Sequence, residues 1–352
     1  MSNFRYLTSG ESHGKCLTAI IEGLPSGLFI DEEFINEELK KRQGGKGRGE
    51  RQKIETDKIE ITSGVRFGKT IGSPLTLVIK NNDWENWSKI MSTNPEDESD
   101  EKSFTIPRPG HADLAGAIKY NHGDLRNVLE RASARKTAIE VAVGAVAQLF
   151  LREFGIIGYS NVLQIGKETN EELFDREIEN AKENNDTIGG KIEIIYKNLP
   201  IGLGSYVHYD RMLDGKLAQA VMSIPAIRLV SIGDGESACD FYGSEFHDEI
   251  FIENGKVYRK TNHAGGIEGG MTNGEDLIIK AVMKPIPTVK KSLNSIDIKT
   301  LESAKAHFER SDTCAVEACS IVAKNKVASV LADEFLAKFG GDSIDEIKSR
   351  IN

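Results

Sequence analysis

The feature that most limits how this chain can fold is the stretch from Thr137 to Leu151, its most apolar run. Within it Ala138, Val141, Ala142, Ala145, Val146 and Leu149 recur at helical spacing. The spacing predicts a helix over residues 133–154, with one face in a core and Gly155 as its stop. Glu140 and Gln148 interrupt the run, and nowhere do about 18 apolar residues follow one another, which argues against a membrane span.

Around this helix the pattern alternates. Residues 4–8 and 17–22 read as strands joined by the polar turn Ser9-Gly10-Glu11-Ser12-His13-Gly14, and Asp31 reads as the N-cap of a short helix ending at Arg42. Strands are expected at 58–67, 74–80, 191–196, 249–253 and 276–283, with Asn254-Gly255 as a hairpin turn. Further helices are expected at 210–223 and 313–339. Residues 92–103 are nearly all polar and read as a mobile acidic surface loop. No repeat or linker divides the 352 residues, so the expectation is a single domain, 1–352, of α/β (α+β) class.

The charge balance narrows the partners. Lys and Arg number 45 against 54 Asp and Glu, a net charge of −9, which does not suit a nucleic-acid binder. Cys16 and Cys239 stand alone, and Cys314 and Cys319 face different sides of a helix. That usage fits neither a disulfide framework nor a metal site, and the reading is a cytoplasmic protein with reduced thiols. Met1-Ser2-Asn3-Phe4-Arg5 lacks the apolar core of a signal peptide.

Three glycine-containing segments invite a phosphate reading. Gly68-Lys69-Thr70 ends like a P-loop, but Ser63 stands where the first glycine is needed, and Ile71-Gly72-Ser73-Pro74 opens a helix poorly. Gly233 and Gly235 do not complete a dinucleotide fingerprint. The third segment is different: Lys40, Lys41, Arg42, Lys46, Arg48, Arg51 and Lys53 fall within fourteen residues, interleaved with four glycines. Glycine lets backbone approach an anion, and guanidinium forks match phosphate and carboxylate. A solvated loop would look the same, but no aromatic residue between Phe34 and Phe67 offers a base-stacking surface. A small anionic ligand is the better functional reading.

Residues 105–137 point the same way. Arg108-Pro109-Gly110-His111-Ala112-Asp113 places a base and a carboxylate in a loop, and Arg131-Ala132-Ser133-Ala134-Arg135 falls at the expected start of the long helix, where anions bind. His13 lies on a turn, where functional residues concentrate, although a lone loop histidine is commonly just solvated. Arg310-Ser311-Asp312 precedes a helix and also reads as an ordinary N-cap. Lys284-Pro285-Ile286-Pro287-Thr288 and Gly265-Gly266-Ile267-Glu268-Gly269-Gly270 each also read as chain punctuation.

Together these motifs, in this order, resemble the signatures of the chorismate synthase family across residues 4 to about 338. The resemblance implies sheets packed around long central helices and a homotetramer. It also implies reduced FMN as cofactor and 1,4-elimination of phosphate from 5-enolpyruvylshikimate 3-phosphate. The family is a lyase despite its redox cofactor, with NADPH or an external flavin reductase as the source of reduction. By similarity, His13 protonates the leaving phosphate and His111 stabilises the reduced flavin. Asp312 takes the ring proton, with Ser12 and Ser133 as relay members. FMN contacts are expected from Arg131, Ala132, Ser133, Pro225, Ala226, Gly269, Lys284, Pro285, Ile286, Pro287, Thr288 and Arg310. Arg42, Arg48, Arg108 and Arg135 are expected at the substrate or an NADP phosphate. The elimination needs an acid, a base and electron density at the breaking bond, and these groups supply the first two.

The pattern departs at three positions: Lys46 stands where a tyrosine is common, Ala132 where many members have serine, and Lys136 where glutamate is frequent. Lys46 and Lys136 are expected to add charge near a polyanion. Two other readings remain at this level. One is a flavin- or phosphate-binding protein of the same fold with altered or lost catalysis. The other is a single-strand nucleic-acid binder using residues 40–53.

Overall fold

The computed structural model describes residues 3–49, 56–308 and 311–351. Strands β1 (Arg5–Ser9), β2 (Cys16–Glu22), β3 (Ile59–Ser63) and β4 (Leu75–Lys80) form an antiparallel sheet in the order β1-β2-β4-β3. Alternation makes it one-sided. The register pairs Leu17 with Ile79, Ala19 with Leu77 and Ile21 with Leu75, and all six are buried on the inner face. A second antiparallel sheet, order β5-β6-β8-β7, is built from β5 (Ile157–Ile165), β6 (Gly190–Lys197), β7 (Ile227–Ile232) and β8 (Leu277–Met283). Here Ile192, Ile194 and Tyr196 pair with Ala281, Ile279 and Leu277, again all buried.

Five helices position the site: α1 (Glu32–Gln43), α2 (Arg126–Ala132), α3 (Thr137–Arg152), α4 (Leu213–Met222) and α5 (Val316–Phe339). Helix α3 packs on the first sheet and α5 on the second, and the two helices pack on each other between the sheets. The expected one-faced helix is therefore corrected. Every residue from Thr137 to Gln148 is buried, because a helix between layers has no solvent face. Its start is corrected too. Ser133 is extended, with ψ 144°, and ends α2; a 3-10 turn, Ala134–Lys136, then leads into α3.

Close approach of α3 and α5 depends on Gly144. A Cβ there would lie 2.2 Å from the Asn325 carbonyl oxygen. Beside this contact sits a buried polar cluster contributed by three helices. Lys324 Nζ is 2.8 Å from Glu38 Oε2, Asn325 donates to the same oxygen at 3.0 Å, and Gln148 donates to Asn325 Oδ1 at 2.7 Å. Burial alone would raise the Glu38 carboxyl, but the Lys324 ammonium and hydrogen bonds from Lys324, Lys41 and Asn325 outweigh it and hold it at about 2.

Most other elements fall within a few residues of expectation. Asn254-Gly255, with φ 51° and 76°, turns Ile250–Glu253 back onto Lys256–Arg259, as that dipeptide predicts. The strand expected over 58–67 stops at Ser63, where Val65–Arg66 begins a tight hairpin with Lys69–Thr70. The helix expected from 313 begins at Val316, and that expected from 210 at Leu213, after a 3-10 turn. Within 92–103, Pro95–Asp97 forms a 3-10 turn capped by Asn94. Strands β5 and β7 had no counterpart in the sequence reading. Gly158, Ser160 and Asn161 interrupt the strand formers of β5, and pairing with β6 imposes its conformation.

Two stability predictions follow from the helix interface. Gly144→Ala should destabilise by about 3 kcal/mol through overpacking, while Gly123→Ala, whose added methyl would meet nothing within 4 Å, should change little; urea denaturation compares them. The Glu38 carboxyl is lowered from its ordinary 4.5, so its stabilisation is complete above pH 4.5 and is lost as pH falls towards 2. Glu38→Gln should cost about 3 kcal/mol at pH 7 and flatten the acid limb of a stability–pH curve.

Candidate active site

A cavity of about 710 Å³ opens where the β1–β2 turn, the glycine-rich loop after α1, the start of α3 and the segment after β8 converge. Helix α1 delivers Arg42 in its last turn, and Gly44 closes that turn by donating to Lys40 and Lys41 carbonyls. Gly45 and Gly47 then take positive φ, 96° and 78°, which lets the loop fold back tightly. The Gly47 carbonyl accepts the Thr313 N–H at 2.7 Å, tying this loop to the segment that carries Asp312. Arg48 Nη1 lies 2.7 Å from Asp312 Oδ2, and the Gly49 N–H donates to Asp312 Oδ1 at 2.6 Å.

On one wall Arg42 and Arg135 converge. Arg42 is held by Thr137 Oγ1 at 2.9 Å and the Ala134 carbonyl at 3.0 Å. Arg135 donates to Asn81 Oδ1 and to buried Asp57 at 2.6 Å. Burial lowers the Arg42 guanidinium to about 10, with Asp57 opposing and Arg135 and Arg48 adding to the effect; it remains charged at neutral pH.

The histidines are both held by carboxylates. The His13 N–H donates to Glu130 Oε2 at 2.8 Å, its Nδ1 lies 2.8 Å from Oε1, and its ring stacks on Trp87 with centroids 3.8 Å apart. Burial acts to raise Glu130, but hydrogen bonds and charge from His13, with Arg126, bring it below the usual carboxylate range. Ser133 Oγ reaches Ser12 Oγ at 3.1 Å, so the two serines named from the sequence do meet. His111 Nδ1 lies 2.5 Å from Asp113 Oδ1, and Arg108 forks onto both oxygens of that buried carboxylate at 2.8 and 2.9 Å while donating to Thr288. Burial would raise Asp113, yet His111 and Arg108 together drive it far down.

The lining also has an apolar part, made by Pro225, Ala226, Ile286, Pro287 and Val322. Lys284 donates to the Gly110 carbonyl at 2.6 Å, and burial, aided by nearby Arg228, lowers its ammonium.

Most of the named residues thus share one cavity: Ser12, His13, Arg42, Arg48, Arg108 and His111 from the first half, with Ala132, Ser133 and Arg135 at the α2–α3 junction. Pro225, Ala226, Lys284, Ile286, Pro287, Thr288 and Asp312 complete the set. Three do not line it. Arg131 turns away to donate to the Thr8 and Gly10 carbonyls, bracing the β1–β2 turn, because it ends α2 rather than starting the long helix. Gly269 lies in a separate two-strand turn, and Pro285 is outside the lining. Arg310, Arg51 and Lys53 lie outside the described residues. Lys46 is corrected as a cavity charge, since it pairs with Asp175 at the surface, whereas Lys136 does line the cavity. Sequence reasoning missed Asp57, Asn81, Trp87, Glu130 and Arg228. Glu130 was visible as a carboxylate next to Arg131, but nothing local marked the others.

Among the described residues, seven cationic side chains (Arg42, Arg48, Arg108, Arg135, Lys136, Arg228 and Lys284) and one carboxylate, Asp312, line the cavity, with two histidines held by buried carboxylates. Fold and site together define a protein of mixed helix and strand whose cavity has the charge and size to take a small polyanion. Residues 4–336 match the family model described as chorismate synthase. The chorismate synthase of Thermoanaerobacter pseudethanolicus is 58% identical over 345 residues, covering 98% of this chain and 96% of that relative. That of Bacillus subtilis is 50% identical, covering 99% and 97%. A crystal structure of chorismate synthase superposes with a TM-score of 0.79 at 41% identity, covering 99% and 96%. The chain belongs to the chorismate synthase family, lyases of the shikimate pathway that depend on a flavin. A binding-only relative of the same fold is not favoured, and no helix among the described residues is long and apolar enough to cross a membrane.

The geometry separates two arginines four residues apart. Arg131→Met should lower thermal stability by about 1–2 kcal/mol with inorganic phosphate affinity unchanged, whereas Arg135→Met should weaken phosphate binding about tenfold or more. Calorimetric titration alongside thermal melts would tell them apart.

Proposed function

We propose that the chain converts 5-enolpyruvylshikimate 3-phosphate to chorismate in this cavity, with reduced FMN as the cofactor. The observation that carries the reading is the convergence of His13, His111 and Asp312 on one cation-rich cavity. The cavity also suits a flavin. It offers an apolar wall for a flat ring and cations for a phosphate, and buried Arg48 Nε has no partner among the described residues, leaving a donor for an anion to satisfy. Ala132, Ser133, Pro225, Ala226, Lys284 and the 286–288 segment would hold that group. Bound reduced FMN supplies electron density as the allylic C–O bond breaks.

The protein's own groups handle the protons. Glu130 fixes His13 through Nδ1, leaving Nε2 as the nitrogen free to give a proton to the departing phosphate. Asp113 holds His111 in the same way beside the cofactor region. Asp312 accepts the ring proton, directly or through the Ser12–Ser133 pair. In the described state Arg48 occupies Asp312, so an arriving anion that draws Arg48 away also frees the base. Arg42, Arg48, Arg108 and Arg135 hold the substrate phosphate and carboxylates.

The same reading makes residues 1–352 one catalytic domain acting as a cytoplasmic homotetramer. It takes its flavin already reduced, by an external reductase or at the expense of NADPH. The test is an anaerobic assay with the substrate and chemically reduced FMN. Chorismate and phosphate should appear in equal amounts, and neither with oxidised FMN; no product from correctly folded, FMN-binding protein would overturn the reading. Oxidised FMN with NADPH alone decides the source of reduction. His13→Ala, His111→Ala and Asp312→Asn should each lower turnover by about 100-fold or more with unchanged circular dichroism.

A further inference from the structure

Trp87 belongs to none of the sequence motifs, yet its ring lies flat against the imidazole of His13, with centroids 3.8 Å apart and planes 22° from parallel. His13 lines the cavity, whereas Trp87 is not among the described residues that do. The indole is half-buried and belongs to neither hydrophobic cluster of the described residues, so filling a core does not account for its place. Asn81 holds it there. The helical turn Trp84–Trp87 opens with the Trp84 N–H donating to the Asn81 carbonyl at 3.1 Å, and the Asn81 side chain donates to the Glu11 and Gly14 carbonyls on either side of His13. The turn carrying the histidine and the turn carrying the indole are thus tied into one unit. The indole Nε1–H donates to Asp83 Oδ2 at 2.9 Å. The Arg126 guanidinium lies 5.4 Å from the Trp87 ring centroid and 3.4 Å from Glu130 Oε1, the oxygen that stands 2.8 Å from His13 Nδ1.

A hydrogen bond to Nδ1 fixes one atom of an imidazole. The torsion about Cβ–Cγ has a broad minimum, so the ring can still tilt and carry Nε2 off its line. A flat partner against the ring face removes that freedom, because stacked rings lose contact when one of them tilts. We propose that Trp87 is a positioning residue for the proton donor: it fixes the plane of His13, so that Nε2 keeps one direction into the cavity while Glu130 fixes Nδ1. The indole does not touch substrate; it acts through the histidine. This rests on the reading above that His13 protonates the departing phosphate.

The test is a kinetic cycle in the full chain with Trp87→Leu and His13→Ala, singly and together, at saturating reduced FMN. Trp87→Leu should lower kcat about tenfold and change KM less than about twofold, because a misdirected proton donor costs rate rather than binding. Trp87→Phe keeps a ring face and should hold kcat within about threefold of the unaltered protein. With His13 already replaced by Ala, Trp87→Leu should lower kcat no further, since the residue it positions is gone. Equal losses with and without His13, or an unchanged kcat in Trp87→Leu, overturn the proposal. Should Trp87→Leu not fold, Trp87→Met takes its place in the cycle. The stack is also read without flavin or turnover. The chain has two tryptophans, so Trp84→Phe leaves Trp87 as the one indole that emits. Adding His13→Ala to that protein should raise its emission by removing a stacked quencher, and unchanged emission overturns the proposal. If the unaltered protein yields no chorismate, the functional reading fails and the role of the stack fails with it. Normal chorismate formation with an unmoved Trp87→Leu rate instead overturns the positioning role alone.

Discussion

The site takes its shape from the contact between α3 and α5, which brings Gly144 against Asn325 between two sheets. A side chain at position 144 would push the layers apart. The first turn of α3, with Arg135, Lys136 and Thr137 at its approach, would then no longer face the segment holding Asp312 just before α5. The buried cluster of Glu38, Gln148, Lys324 and Asn325 fixes the rotation of α1, α3 and α5 about one another, since a charged pair without solvent tolerates little misalignment. Arg42 leaves α1 one turn beyond Glu38, so the same cluster that orders the core also aims an arginine into the cavity.

Charge compensation is the second organising constraint. A chain of net charge −9 gathers cations into a confined space by placing a carboxylate behind nearly every arginine: Asp57 behind Arg42 and Arg135, Asp113 behind Arg108, Asp312 against Arg48. Asp57 and Asp113 are sealed and stay with their partners, whereas Asp312 is partly exposed and its partner can leave it. In the proposed reaction, Asp312 is therefore the one of the three open to proton transfer. Glu130 plays the sealed role for His13.

Much of this was legible from the residues. The apolar run centred on Ala142, the Asn254-Gly255 hairpin and the alternation in β2 and β4 each carry a local signal strong enough to survive folding. The motifs around His13, Arg42, Arg108, Ser133 and Lys284 do converge. Strand β5 was not legible, because Gly158, Ser160 and Asn161 break up its apolar residues and pairing with β6 imposes the extended form. Arg131 was misplaced because the break at Ser133 depends on an extended backbone that no residue type there announces. Lys46 was misplaced because its partner, Asp175, lies over a hundred residues away.

The sequence by itself determined the periodic elements, the cluster of anion-binding residue types and the family, since these depend on local spacing and on residue identity. Tertiary structure alone decided which cations face the cavity, which carboxylate stands behind each, and that α3 is buried on every side from Thr137 to Gln148. Those outcomes turn on distances between residues far apart in the chain. A charge is neutralised or a side chain desolvated by what lies within a few ångströms in space, and spacing along the sequence does not record that.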